Sequence, residues 1–311
     1  MEYIRLGLTE TYVSRIAFGC AAIGGYDYGK VNDRESIRAV RKALDLGINF
    51  FDTADVYGFG HSEEILAEAL GAERHNVIIG TKFGVRWDAR GKTYRDISSV
   101  SVAQALEASL RRLRLDCIPL YQIHWPDQRT DISETMHQLM RLQESGKIRF
   151  IGCCNFPSAM LREAQAYCRS ESIQLPFSLL QQDSEHTLAE CRQTYSMSAL
   201  CYNVLAQGFF SGKYGLNSQF DGSDLRRKSV IFQPNHLTDN LALLERIRLV
   251  ADRYGKTPAQ VAIRWVLDHS PNSCALAGIK QAHQAAENAG AAGWKLSDSD
   301  LVYLQNVRPM M

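Results

Sequence analysis

The segment INFFDTADVYGFGHSEEILAEALG, residues 48–71, contains one complete structural unit. It begins with a short apolar run, INFFD (48–52), which suits a strand buried on both faces. A loop of glycines and polar residues follows, and SEEILAEALG (62–71) then reads as a helix, with Ser62 as its N-cap and Gly71 as its stop.

The same alternation runs along the chain. The other strand candidates are RIAFG (15–19), VIIGT (77–81), PLYQIH (119–124), IRFIG (148–152), FSLLQ (177–181), SALCY (198–202) and SCALAG (273–278). Helical candidates span 33–47, 101–115, 131–147, 158–170, 237–255, 257–270 and 282–292. In the first of these, Ile37, Val40, Leu44 and Leu46 form a helical stripe, with Asp33 as N-cap and Gly47 as stop. Eight strands, nearly all followed by helices, predict an α/β fold, a parallel (β/α)8 TIM barrel formed by residues 1–311 as a single domain. FGCAAIGG lacks the glycine spacing of a dinucleotide-binding open sheet. The opening YIRLGLTETYVSRIAF predicts an N-terminal β-hairpin that plugs the barrel bottom. Residues 207–236, after strand seven, form a long polar, glycine-rich stretch expected to be a functional loop over the site.

Bulk properties narrow the partners. The 311 residues carry a formal net charge of +1, so no global field attracts nucleic acid or an anionic membrane. No apolar run approaches a membrane span, and the N-terminus lacks a signal-peptide plan. The 8 cysteines show no metal-like spacing and read as small buried thiols in a reducing, cytoplasmic setting.

A barrel builds its active site at the C-terminal strand ends. Strand two ends in Asp52 with Tyr57 in its loop, strand three in Thr81 and Lys82, and strand four in His124. Each residue alone has an ordinary structural reading as a cap, a snorkelling lysine or a packed ring. Together they suit one chemistry. Tyr57 would act as general acid, and its phenol needs help to donate near neutral pH. Lys82 would give that help by favouring the phenolate, and Asp52 would keep Lys82 charged. His124 would hydrogen-bond a carbonyl oxygen. The set lacks a strong nucleophile and a metal, so hydride from a nicotinamide is the natural electron source.

Six ordered motifs then resemble the aldo-keto reductase family: FDTADVYG-x-x-x-SE (51–63), IGTKFG (79–84), YQIHWPD (121–127), GKIRFIG-x-x-NF (146–156), Y-x-x-L-x-x-G-x-x-SGKY (202–214) and G-x-K-x-x-x-Q-x-x-EN (278–288). DLRRKSVIFQ (224–233) further resembles the bacterial subgroup of inositol-operon and general-stress NADPH-dependent oxidoreductases. The resemblance implies that Asp52, Tyr57, Lys82 and His124 are the catalytic tetrad. It also implies NADPH/NADP+ as cofactor. Asn155 and Gln181, preferred over Gln182, would hold the carboxamide, and Tyr202 would stack on the nicotinamide. Asn203, Leu205, Gly208, Ser211 and Lys213 would wrap the pyrophosphate. Gly278 and Lys280 would sit at the adenosine 2′-phosphate, and Gln284, Glu287 and Asn288 on the adenine side. The partner would be a small-molecule carbonyl substrate.

Against the family pattern, Cys154 stands where serine is usual, which is expected to alter cofactor affinity. After FSLLQ no tyrosine follows at the usual spacing and the connection looks several residues short, which would reshape one pocket wall. Trp87 and Trp125 are candidate substrate-pocket walls. Two other readings remain: an NADP(H)-binding sensor with little turnover, and a non-redox barrel enzyme using Lys82 as a base.

Overall fold

The computed structural model describes residues 1–25, 29, 31–222 and 224–305. The first half runs β1 (Tyr3–Arg5), β2 (Tyr12–Ser14), β3 (Ile16–Gly19), α1 (Asp33–Asp45), β4 (Phe50–Asp52), α2 (His61–Leu70), β5 (Ile78–Phe83), β6 (Val85–Trp87), β7 (Thr93–Arg95), α3 (Ser99–Leu113) and β8 (Ile118–Ile123). The second half runs α4 (Ile132–Glu144), β9 (Ile148–Cys154), α5 (Ser158–Tyr167), β10 (Ser172–Pro176), α6 (Glu185–Tyr195), β11 (Ser198–Tyr202), α7 (Pro234–Tyr254), α8 (Pro258–His269), β12 (Ser273–Gly278), α9 (Ala282–Ala289) and α10 (Asp298–Gln305). Eight parallel strands close a barrel in the order β3–β4–β5–β8–β9–β10–β11–β12, with β12 pairing back to β3. This is the (β/α)8 fold that the alternation predicts.

Strand faces divide the apolar residues between two cores. Ala17, Phe50, Leu120, Leu200 and Cys274 point inward and form a small cluster in the barrel. The other faces pack under the helices in one large cluster. The β1–β2 hairpin adds Leu6 and Val13, both fully buried, to the inner cluster. Burial of this kind contributes roughly 2 kcal/mol per side chain. The hairpin is tied to strand starts, through Gly7 N–H on Ser198 Oγ and Ser14 N–H on Asn49 Oδ1, so it closes the N-terminal end of the barrel.

The sixth barrel strand differs from the one the apolar pattern indicates. It is Ser172–Pro176, paired with β9 and β11, and not FSLLQ (177–181). Residues 177–181 make a turn closed by reciprocal backbone bonds between Ser178 and Gln181. The turn is apolar because it is buried: Phe177 stacks on Trp265 with ring centroids 5.4 Å apart, and Leu179 and Leu180 lie in the core. The strand escapes an apolar-run search because it carries Ser172 and Gln174. With the strand moved back, the connection to β11 is not short. It holds α6, a helix of 11 residues.

Helix starts differ in detail. Asn32, one residue before Asp33, caps α1 by accepting from Glu35 N–H. Ser62 is buried inside α2, where its hydroxyl donates to Cys20 O and meets Thr53. Among the described residues no helix is long and apolar enough to cross a membrane, and no cluster of histidine, cysteine, aspartate and glutamate could hold a metal ion. All eight cysteines are free thiols, six of them buried.

Candidate active site

The C-terminal strand ends surround a cleft of about 810 Å³, a size suited to a small-molecule ligand. Asp52 closes β4, and the loop after it carries Tyr57 into the cleft. That loop lies directly on the turn after β3. A Cβ on Gly58 would fall 2.0 Å from Gly24 O, and φ there is +61°, so only glycine lets the two backbones meet. Lys82, in β5, is 0% exposed. Its Nζ donates to Asp52 Oδ2 at 2.7 Å, to Thr53 O at 2.8 Å and to Tyr57 Oη at 3.4 Å. Burial alone would strip the proton from Lys82, but the Asp52 carboxylate outweighs it and holds the ammonium well above its usual range. Removing one partner of such a buried pair costs about 3–5 kcal/mol.

His124 follows β8, with its backbone N–H on Phe83 O. Its ring stands edge-on to Tyr57, centroids 5.7 Å apart at 85°. Burial, then the positive charges of Lys82 and Arg95, hold its pKa well below the usual imidazole range, so the ring is neutral at neutral pH. The four residues that the strand-end reading selected are therefore together, around one side of the cleft.

Two further residues join them that the sequence reading missed. Asp52 Oδ1 accepts from Gln122 Nε2 at 3.1 Å and from Gln174 Nε2 at 2.9 Å, while Oδ2 serves Lys82. Gln174 also reaches Gln122 Oε1 at 3.3 Å and lines the cleft. Gly152 leaves the room: a Cβ there would sit 2.9 Å from Gln122 Cγ and 2.5 Å from Ser172 Oγ. Cys154 donates its thiol to Gln122 Oε1 at 3.7 Å, and burial raises its pKa so that it stays a thiol. A polar residue inside an otherwise apolar barrel strand is the signal that could have found both glutamines.

Asp55, two residues before Tyr57, is buried with neither carboxylate oxygen partnered among the described residues. Burial, then the nearby Glu63 carboxylate, pushes its pKa well above the usual range. Glu63 itself is fixed between Thr81 Oγ1 and Arg112 Nε, each at 2.6 Å.

The rest of the cleft wall comes from the second half of the barrel. Asn155 Oδ1 accepts from Tyr202 Oη at 2.9 Å, and its Nδ2 donates to His124 O at 2.9 Å. Gln181 accepts from Asn203 Nδ2 at 3.2 Å. Asn155, Asn203 and Gln207, which line the cleft, all hold positive φ, backbone strain gathered at the site. Leu205, Gly208, Lys213, Gly278, Lys280 and Gln284 also line it. Ser211, Glu287 and Asn288 stand outside this wall. Ser211 Oγ instead bonds Gly208 O, and Gln284 Oε1 accepts from Lys280 N–H. Of the two tryptophans, Trp125 lines the cleft, whereas Trp87 packs behind Phe59.

The long segment after β11 folds over one end of the cleft, as expected of it. Lys213, Tyr214, Leu225 and Arg226 face inward. Arg226 bonds Asp224 at 2.9 Å through Nε and lies over the rings of Tyr214 and Phe220. Burial, then the Arg226 charge, lowers the Lys280 pKa, with Lys213 adding to the effect and Asp224 opposing it.

The model of the Aldo/keto reductase family matches residues 15–308. The chain belongs to this family. Aldo-keto reductase YhdN of Bacillus subtilis is 34% identical over 303 residues, which cover 96% of this chain and 91% of that one. Aldo-keto reductase yakc [NADP(+)] of Schizosaccharomyces pombe is 31% identical, covering 92% of this chain and 86% of its own. The solved structure of the glycerol dehydrogenase AKR11B4 from Gluconobacter oxydans superposes with a TM-score of 0.91 at 35% identity, covering 98% of this chain and 94% of that one. Of the strand-six departures, the short connection is removed by α6, whereas the tyrosine remains absent. Gln174 is followed three residues on by the aromatic Phe177, and a full helix precedes β11.

Proposed function

We propose that the protein is an NADPH-dependent oxidoreductase that reduces an aldehyde or ketone to an alcohol, with Tyr57 as proton donor. One observation carries the reading: a fully buried ammonium, Lys82, is shared between Asp52 and the Tyr57 hydroxyl, with a neutral imidazole beside them.

The residues present fit the dinucleotide. Lys213, Arg226 and Lys280 gather positive charge at one end of the cleft, where phosphates would be held. Lys280 also precedes α9, so its charge and the helix N-terminus can share a 2′-phosphate, which favours NADP over NAD. At the other end Asn155 and Gln174 offer amides to a carboxamide, and Tyr202 offers a ring face. Gln174 takes this role in preference to Gln181, because it reaches Asp52 as well.

When bound, the nicotinamide supplies hydride, which is both electrons and one hydrogen. His124 donates a hydrogen bond to the substrate carbonyl oxygen and polarises it. Tyr57 gives its proton to that oxygen as alkoxide character develops. Lys82 stabilises the phenolate left behind, and Asp52, clamped by Gln122 and Gln174, keeps Lys82 charged and aimed. Hydride and proton together convert C=O to CH–OH, and alcohol oxidation is the same path reversed.

The test is a panel of aldehydes and ketones with NADPH, read at the nicotinamide absorbance. Turnover at ordinary enzyme rates supports the reading. Tight NADPH binding with no turnover on any carbonyl would favour the sensor role instead.

A further inference from the structure

The substrate side of the cleft is bordered by the β6–β7 ribbon, and this ribbon is strongly charged. Residues 85–95 carry Arg86, Arg90, Lys92 and Arg95 against a single acid, Asp88, in a chain whose net charge is only +1. The Asp88 carboxylate is spent on the turn itself, accepting from the backbone N–H groups of Arg90 and Lys92 at 2.8 and 2.9 Å. Among the described residues none of the four cations forms an ion pair. Asp96, next along the chain, turns its carboxylate to Ser98.

The ribbon is part of the cleft. Val85 and Thr93 line it. Arg95, opposite Val85 in the ribbon register, lays its guanidinium 4.5 Å from the ring centroid of Trp125. Trp125 lines the cleft and follows His124 directly. Placed over that ring, the guanidinium is exposed beside the cleft and makes no ion pair among the described residues. Its charge is also one of those that keep His124 neutral.

From this placement we infer that the enzyme prefers carbonyl substrates bearing an anionic group, a carboxylate or a phosphate ester, with Arg95 as the specificity-determining residue. The inference rests on the carbonyl-reductase reading and narrows it. The ribbon raises the local concentration of anions at the mouth of the cleft, and Arg95 offers the paired N–H groups that fit a carboxylate or phosphate. The rim around it, with Trp125 and Phe59, accepts an apolar or aromatic body.

The experiment compares kcat/KM with NADPH for 4-formylbenzoate against its neutral methyl ester, and for glyceraldehyde 3-phosphate against glyceraldehyde. The first pair reports a carboxylate and the second a phosphate. In the wild type at low salt the anionic member of at least one pair should lead by about tenfold or more, and about 0.5 M NaCl should erode that lead. Arg95→Met, which keeps an apolar stem over Trp125, should bring the ratio to within about twofold of one, mostly through KM, while Arg95→Lys should retain part of it. Arg95 is exposed, so these variants should fold. Equal kcat/KM within both pairs, or a lead that survives Arg95→Met, overturns the inference while leaving carbonyl reduction intact. Absence of turnover on all four compounds, while other carbonyls of the panel are reduced, overturns this inference alone, and absence on every carbonyl overturns the reductase reading with it.

Discussion

The β4–β5–β8 edge and the β10 edge of the same barrel were built by one rule and read very differently. At the first edge, an apolar run leads up to each candidate residue: Phe50 and Phe51 to Asp52, Ile78 and Ile79 to Thr81 and Lys82 near the end of β5, and Ile123 to His124. At the second, the candidate lies in the middle of the strand, where Gln174 crosses the barrel to Asp52. A chemically active end can be found by where hydrophobicity ceases. A chemically active interior interrupts the very pattern by which a strand is found.

The comparison breaks most directly at Tyr57. Tyr57→Phe should lower kcat by about two to four orders of magnitude, as loss of a general acid does, with NADPH affinity kept. Near-wild-type turnover would remove the phenol from its role and leave the first edge without its chemistry. The second edge is tested by a pair. Gln174→Leu should reduce kcat/KM about 10- to 100-fold and weaken NADPH binding, because it strips a donor from Asp52 and an amide from the cleft. Gln181→Leu should stay within about threefold of wild type. A reversed order would return the strand-six role to Gln181. At the far end of the cleft, Lys280→Met should raise the NADPH Kd by about tenfold or more and leave that for NADH nearly unchanged. Equal effects on both would remove the 2′-phosphate assignment.

The smallest effect sharpens the comparison within the Tyr57 loop. Asp55 is protonated more readily in the folded chain than in the unfolded one, so between the ordinary and the raised pKa the native state holds the extra proton. Stability from that proton is present at low pH and is lost as pH rises. Asp55→Asn removes this dependence. Its stability relative to wild type, from urea unfolding, should therefore grow as pH rises above the ordinary carboxylate range, by no more than about 1.4 kcal/mol per pH unit. A difference that stays flat over that range would show Asp55 to be ionised in the folded chain.

Much of the molecule was legible because its signals are local. The hairpin, the barrel and the meeting of Asp52, Tyr57, Lys82 and His124 at one side of the cleft follow from apolar runs, breakers and strand-end polar residues. FSLLQ was misread because a buried turn and a buried strand have the same composition. Phe177 packs on Trp265, which is distant in sequence and near only in the fold. That single shift made α6 look absent and sent the amide role to Gln181. Ser211, Glu287 and Asn288 were placed by motif position. Gly208 and Gln284, expected alongside them, line the cleft.

The clamp on Asp52 has a consequence for how such an enzyme could diversify. Gln122, Gln174, Asp52 and Lys82 all reside on barrel strands, whereas Phe59, the β6–β7 ribbon and the segment after β11 hang outside them. On the proposed mechanism, the charges that support Tyr57 are held by the strands, while Tyr57 itself and the residues proposed to choose substrate sit in the loops above them. Exchanging the β6–β7 ribbon of this chain for that of a relative should transplant substrate preference with the Tyr57 loop intact, while a conservative swap of one interior amide should damage reactivity toward every substrate alike.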